Sequence, residues 1–538
     1  MVIYLQVFFL NLVDYLYVLI GCFSRGEITN FIDTYIETYL MNNMFIFVKE
    51  KTIMKKKTIS LLFILIYFNL FSQETVLRIE NTFKKQQPKS SYDEVLTIFN
   101  EKNKNLALFF IDKRKIYNYL FDENFNRIDS LYTEKRPRKY KNALGSSITN
   151  TNEYQVFLTN KSKNKFATIK FSFKDKTTTI SELKLNLTNT SERFVQSISH
   201  QNKFYIITIQ DYSNNLRIYS FDEKAKATEH LIDLSSFRVM NNDYGDKLSA
   251  LFSFSSLNGL NININKFDDN SISSLEQTSD DVKMYVSNNK VILTFDMDNE
   301  YTLALTINLD TYIGVFKNFN KIYKFKAKTS NSYLFEDKLF QVASNSEKLF
   351  FIIRDFKSEE VLNQYVIDKN KPISFKNTPI IQSVKSYTNK IKLKNTKQFL
   401  RKILKSNIGI SVDVIKNKYQ ITLGAIKKIR SNGGAMGMGF GIPNANFVSS
   451  SNFFNTTKIA YKAYRNTKSI TIKTILDKNL KHVKGHVSKN AFDLLNEYQE
   501  NYDNPKKGET IFKYKNYYIF GHFNYGNRFY QLHKFINE

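Results

Sequence analysis

Between residues 105 and 124 the chain reads "NLALFFIDKRKIYNYLFDEN": an apolar run, a polar break, a second apolar run, then Asp. Alternation with period two is the mark of a β-strand, and the short polar break is the mark of a hairpin. The unit returns as "KFYIITIQDYSNNLRIYSFDEK" (203–224) and more loosely at 153–176, 290–312, 348–370, 468–479 and 516–535. The apolar residues that close the second strands are Phe121, Phe173, Phe221, Phe267, Leu309, Ile367, Leu476 and Phe535. They recur at roughly 40–60 residues, the period of propeller blades. One gap, between Ile367 and Leu476, is about twice as long. A lone hairpin cannot bury its apolar face, so such units must stack on one another. The expected fold is all-β: a β-propeller of seven or eight four-stranded blades, with short helices and a Gly-rich insertion late in the chain. Two β-sandwiches side by side are the competing arrangement.

The Asp after each second strand stands where a strand gives way to a turn, and Asp is a good turn starter. It is read as architecture and given no chemistry. With six prolines and seventeen glycines in the chain, the turns must lean on Asn, Asp, Lys and Ser. Two amphipathic stretches interrupt the strands. "NTKQFLRKILKSN" (395–407) puts Phe399, Leu400, Ile403 and Leu404 on one face, with Asn395 as the cap. "SKNAFDLLNEYQE" (488–500) turns Phe492, Leu494 and Leu495 inward. The long gap holds a basic segment, 379–407, and a Gly-rich one, 430–456; without them it is one blade long.

"MKKKTISLLFILIYFNLFSQE" (54–74) has the form of a secretory signal: Lys55, Lys56 and Lys57, then an apolar run too short to span a bilayer. Cleavage is expected near Ser72 and Gln73. Residues 1–53 then read as an upstream extension from a start placed too early, and 73–538 as a single propeller domain. Leu19-Ile20-Gly21-Cys22 has the outline of a lipoprotein box, but no Lys or Arg precedes its apolar run. Cys22 is the sole cysteine, so 73–538 holds no disulfide. The expected location is exported, periplasmic or extracellular.

Lys and Arg outnumber Asp and Glu by 78 to 50, a formal charge of +28. The basic residues are scattered rather than striped, which argues against nucleic acid and allows weak attraction to anionic glycans or lipopolysaccharide. No transmembrane anchor is expected in 73–538.

"SNGGAMGMGFGIPNANFVSSSNFF" (431–454) departs from the rest in composition. It lacks a Gly-Lys-Ser/Thr ending, Ile442 breaks the G-x-G-x-x-G spacing, and no helix is predicted behind it, so a phosphate loop is rejected. It reads as an insertion between two strands of one blade. Met436, Met438, Phe440, Phe453 and Phe454 are its candidate binding residues, because flexible Met side chains adapt to varied apolar partners. His482 and His486 stand four apart but on strand-like sequence with Gly485 between them, so no metal site is assigned. No G-x-S-x-G elbow occurs, and no catalytic residue or cofactor is assigned.

With "FSQE", "FLRKILKSNIGI" (399–410), "TKSITIKTILDKNLKHVKGHVSKNAFDLLNEYQ" (467–499), the strand repeats and the Gly-Met insertion, the chain resembles the signal-peptide-bearing, β-propeller-like proteins of Flavobacteria-type bacteria. That resemblance covers roughly 54–538. It implies kinship and no activity, the function of those proteins being unassigned. The leading expectation is a non-enzymatic exported propeller that binds a protein or envelope component. The alternative is a hydrolase with its site in the central funnel.

Overall fold

The computed structural model describes residues 74–80, 94–427 and 455–538, apart from 112–114, 134–138, 141, 186–190, 235–236, 238–246, 254–255, 258–260, 263, 269–270, 384–389, 466–467, 501–507 and 525–528. Antiparallel sheets dominate it. In five of them four strands follow chain order from first to fourth: blade 1 (94–133), blade 2 (142–183), blade 3 (192–232), blade 4 (282–320) and blade 5 (329–368). The first strands pack inside and the fourth face solvent; in Thr177–Leu183, the fourth of blade 2, no residue is buried. Blade 6 comprises Asn407–Ile415, Lys418–Ile426 and Ser469–Leu476, and takes its fourth strand, Ile380–Ser383, from earlier in the chain. Blade 7 comprises Thr510–Tyr514, Tyr517–Phe523 and Phe529–Phe535, and its fourth strand is Glu74–Glu80. The two ends of the described chain therefore zip into one sheet.

Apolar faces pack blade on blade. Phe109 and Ile111 of blade 1 share a core with Val156 and Ile169 of blade 2. Phe157 of blade 2 stacks on Phe204 of blade 3 with ring centroids 4.0 Å apart. Blade 3 shares its core with blade 4, blade 4 with blades 5 and 6, and blade 7 with blade 1. Between blades 6 and 7 helices intervene, and a further helical segment joins the core that blades 3 and 4 share. Five short helices occur among the described residues: α1 (Leu248–Ser253), α2 (Leu275–Thr278), α3 (Thr396–Ile403), α4 (Thr456–Arg465) and α5 (Ala491–Glu500). Ala460 and Tyr461 of α4 and Phe492 and Leu495 of α5 bury themselves against Ile511, Tyr518 and Phe520 of blade 7. The α3 cap is Asn395, whose side chain accepts from the Gln398 N–H, and Phe399, Leu400 and Ile403 are buried as expected.

The repeated Asp does fold turns. Asp122 Oδ1 accepts the N–H groups of Asn124 (2.9 Å) and Asn126 (2.8 Å); Asp222 Oδ1 accepts those of Lys224 (2.9 Å) and Lys226 (2.7 Å). The next residue reaches the neighbouring blade. Glu223 of blade 3 accepts from the Asn150 N–H of blade 2 at 2.9 Å, and Glu123 of blade 1 pairs with Lys515 of blade 7 at 3.4 Å.

Among the described residues there are seven blades, not eight. Phe267, one of the eight sequence marks, lies in Asn265–Asp268, which pairs in parallel with the first strand of blade 4 and founds no sheet of its own. Ile367 marks the fourth strand of blade 5 where the other marks fall on or next to third strands.

Candidate functional site

The centre of a propeller is the usual place to look for a site, and here a chain segment lies on its inner side. Asn265–Asp268 runs along the inner edge of blade 4, and Ile264, Ile272 and Ser273 bond to other blades. The Gln196 side chain of blade 3 donates to Ile264 O at 2.9 Å. The Ser411 hydroxyl of blade 6 donates to Ser273 O at 2.8 Å, and the Ile272 N–H donates to the Tyr518 hydroxyl of blade 7 at 2.8 Å. Ser274 and Gln277 form a capping box on α2, satisfying donors that a buried helix end would otherwise strand. Gly409 in the first strand of blade 6 makes room for this turn: a Cβ there would lie 3.1–3.2 Å from Ser279 and the Leu275 carbonyl.

Beside this segment, blade 6 turns a polar face toward α4 and α5. Ser411, Asp413, Gln420, Thr422 and Lys473 meet Tyr464, Ser488, Asn490 and Ile272 around a cavity of about 20 Å³, room for roughly one water. Asp413 keeps a little accessible surface, but its Oδ2 is sealed off and has no hydrogen-bond partner; the other oxygen accepts from the Val414 N–H at 2.9 Å. Burial pushes its carboxyl up to about 7 against the pull of that N–H and of Lys513 and Lys473, while Asp493 adds to the rise. Asp493 itself is well held, accepting from Tyr464 at 2.7 Å with Lys473 Nζ at 3.9 Å.

Two other polar clusters are structural. Asp296, fully buried between blades 4 and 5, takes Lys283 (3.0 Å) and Ser332 (2.7 Å) on one oxygen, and Lys321 (3.1 Å) and Thr302 (2.7 Å) on the other. Each ammonium finds two further acceptors: Asn331 and the Asp280 carbonyl for Lys283, Ser330 and the Asp298 carbonyl for Lys321. Burial raises the Asp296 carboxyl, but the two ammoniums and two hydroxyls outweigh it and hold it below the usual range. In blade 7 the Tyr498 hydroxyl of α5 lies 3.2 Å from Nε2 of both His522 and His533. The His522 Nδ1 stands 2.9 Å from the Phe523 carbonyl and so carries the hydrogen; its Nε2 accepts from Tyr498. His533 must then donate Nε2–H to Tyr498 and accept at Nδ1 from Thr75, on the ring-closing strand.

Of the residues singled out in the sequence, Met436, Met438, Phe440, Phe453, Phe454, Ser72 and Gln73 lie outside the described residues. The flanks of the Gly-Met stretch are described. It does join two strands of one blade, leaving from Ile426 in the second strand of blade 6 and returning at Asn455. A helix does follow, contrary to expectation: Asn455 caps α4 by accepting from the Lys458 N–H at 2.8 Å. With Thr456, Thr457, Tyr461 and Tyr464 as its apolar and β-branched positions, that helix gives little helical signal in sequence. His482 sits in an isolated bridge with Leu476 and faces the Asn377 side chain at 3.1 Å, so the four-residue spacing to His486 is not helical. Asp413 gave no signal in sequence, since a strand residue's burial depends on what packs over it.

The sheets of the described residues define a seven-bladed β-propeller with a segment bonded along the inner side of several blades. No protein-family model matches the chain, and no curated protein matches it. Among solved structures it is similar to prolyl endopeptidases studied for inter-domain dynamics, at 6% identity and a TM-score of 0.32, over 82% of this chain and 50% of that one. The chain thus spans about half the length of that peptidase. It is similar to a member of the DUF4221 family from Bacteroides vulgatus, at 11% identity and a TM-score of 0.29, over 83% of this chain and 99% of that one. The β-propeller domain of the Trilobed protease from Pyrococcus furiosus matches at 9% identity and a TM-score of 0.29, over 83% and 93%. The fold assignment rests on the hydrogen-bonded sheets themselves.

Proposed function

We propose that residues 73–538 form an exported, non-enzymatic binding or scaffold module, periplasmic or extracellular, that holds a protein or a cell-envelope component. The segment on the inner side of the ring is the observation that carries this reading. A segment bonded to blades 3, 4, 6 and 7 stands where a funnel enzyme would need open space, which leaves edges and loops for recognition. The Gly-Met connection is the proposed contact, with Met436, Met438, Phe440, Phe453 and Phe454 supplying adaptable apolar groups. Residues 54–72 act as the export signal, and 1–53 are no part of the mature chain. Among the described residues no helix is long and apolar enough to cross a membrane.

A pull-down from envelope extracts with the intact chain and with a deletion of 432–446 tests the contact. Partners lost on deletion support it, and unchanged partners overturn it. N-terminal sequencing of the native protein tests the export signal, and a mature terminus upstream of Met54 would sink it.

A hydrolase is the second reading, and Asp413 is the observation in its favour: a carboxyl poised near neutral pH beside a polar cavity has the properties of a general acid. The cavity's room for about one water and no substrate ranks this reading second.

A further inference from the structure

The two edges of the ring differ in charge. Because successive strands are antiparallel, each blade's second-to-third turn and its link to the next blade lie at one edge, and the first-to-second and third-to-fourth turns lie at the other. At the first edge, Lys161 and Lys165 stand exposed around Lys163 in the turn of blade 2, and Lys324, Lys326 and Lys328 stand exposed in the link from blade 4 to blade 5. Much of the acid at this edge is already engaged: Asp211 pairs with Arg193, Glu182 with Lys139 and Glu347 with Lys369. Asp298 and Glu300 in the turn of blade 4, and Asp233 and Asp281 in the link from blade 3 to blade 4, also lie at this edge. At the second edge the turns mix signs within a few residues, as in Asp222, Glu223, Lys224 and Lys226.

Exposed aromatics mark the same lysine-rich edge. Tyr212, in the second-to-third turn of blade 3, is 93% exposed, and Tyr323, in the blade 4 to blade 5 link, is 84% exposed. No other large hydrophobic side chain among the described residues approaches these values. The remaining exposed ones, such as Leu231, Val315 and Val361, lie mainly on the outer strands. An exposed aromatic ring with a polar tip, on the same edge as exposed lysines and in Tyr323 with Lys324 over its face, fits a boundary where phosphates meet apolar chains.

We propose that this edge docks on a phosphate-bearing lipid surface, the lysines reaching headgroup phosphates and Tyr212 and Tyr323 settling among the headgroups. The clusters sit on blades 2, 3 and 4–5, spread over a plane instead of along a groove, which suits an extended surface better than one polymer strand. Attraction of this kind accumulates with each basic residue and falls with salt. The edge is a different set of residues from the 432–446 stretch, so the two assignments fail separately.

Co-sedimentation with phosphatidylcholine vesicles, with and without phosphatidylglycerol, tests the edge. Binding is expected only with phosphatidylglycerol and is expected to fall as salt rises. K161Q/K165Q/K324Q/K326Q/K328Q should weaken it by about tenfold or more, and Y212S/Y323S should weaken it at constant charge. K224Q/K226Q/K357Q/K416Q/K478Q, on the opposite edge, should leave it unchanged, as should deletion of 432–446. Thermal unfolding of every variant checks that the ring is intact; all the substituted side chains are exposed. No binding to the anionic vesicles, equal loss from both lysine sets, or retention on alginate without retention on vesicles each overturns the proposal.

Discussion

The Tyr518 hydroxyl of blade 7 accepts the backbone N–H of Ile272, 246 residues away in sequence, at 2.8 Å. Both groups are buried, and this bond fastens the channel segment to blade 7. Tyr518→Phe removes the acceptor and leaves a buried N–H unpaired, a loss of about 1–3 kcal/mol. Urea unfolding should report that loss, and amide exchange at Ile272 should accelerate ahead of the blade strands.

Asp413 makes stability depend on pH. Its carboxyl is raised to about 7 from the model-compound value of 3.8 by burial, so the folded state holds the proton more tightly than the unfolded chain does. The resulting stabilisation is complete below about pH 4 and is lost as pH rises toward 7. Its full size is about 4 kcal/mol. Asp413→Asn cannot ionise and should match the wild type near pH 4 while exceeding it in stability at pH 8. Parallel urea titrations at the two pH values check the difference, and equal curves for both proteins at pH 8 would refute it.

Asp296 behaves oppositely. Its carboxyl is held low between Lys283 and Lys321, so its stabilisation is present above about pH 4 and fades as pH falls. Asp296→Ala leaves two buried ammoniums without their counter-ion, at a cost of about 3–5 kcal/mol. The melting temperature at neutral pH should drop sharply, and the variant should lose part of the wild type's acid-induced unfolding.

Gly145 lets blades 2 and 3 approach. A Cβ at that position would sit 2.4 Å from the Phe204 ring, itself stacked on Phe157. Gly145→Ala must push that ring aside in a packed interface, at a cost of about 1–3 kcal/mol. Gly145→Ala with Phe204→Leu should recover part of the loss, as a double-mutant cycle would show.

The ring was legible in the chain because its hairpins repeat: Phe121-Asp122 and Phe221-Asp222 close third strands and open the turns that the Asp side chains hold. What misled was position within a sheet. Phe267-Asp268 has the same signature but runs parallel to blade 4 as part of the channel segment, and alternation cannot tell an inner edge from a new blade. The fourth strand of blade 6, Ile380–Ser383, is four residues long and lies upstream of the strands it joins, so no local pattern announces it. Asp413 was invisible for a similar reason. Its neighbours Lys473, Lys513 and Asp493 come from two other blade strands and α5, far away in sequence. Nothing in the local sequence tells the lysines of one edge from those of the other; strand order sorts them.

Glu74–Glu80 forms its ladder with Phe529–Phe535 and with no other strand. A chain made from its N-terminus therefore produces the clasp first and the buckle last. While the intervening blades assemble, the early strand must wait with its backbone groups unclaimed, and the rims that will become blades 1 and 7 stand apart. Completion depends on a contact between residues more than four hundred positions distant, the kind of long loop closure that slows folding and lengthens exposure of sticky intermediates. Such a protein gains from a holdase while its ring is still open, and truncation of a few C-terminal residues would cost it the whole circle and not just the last strand.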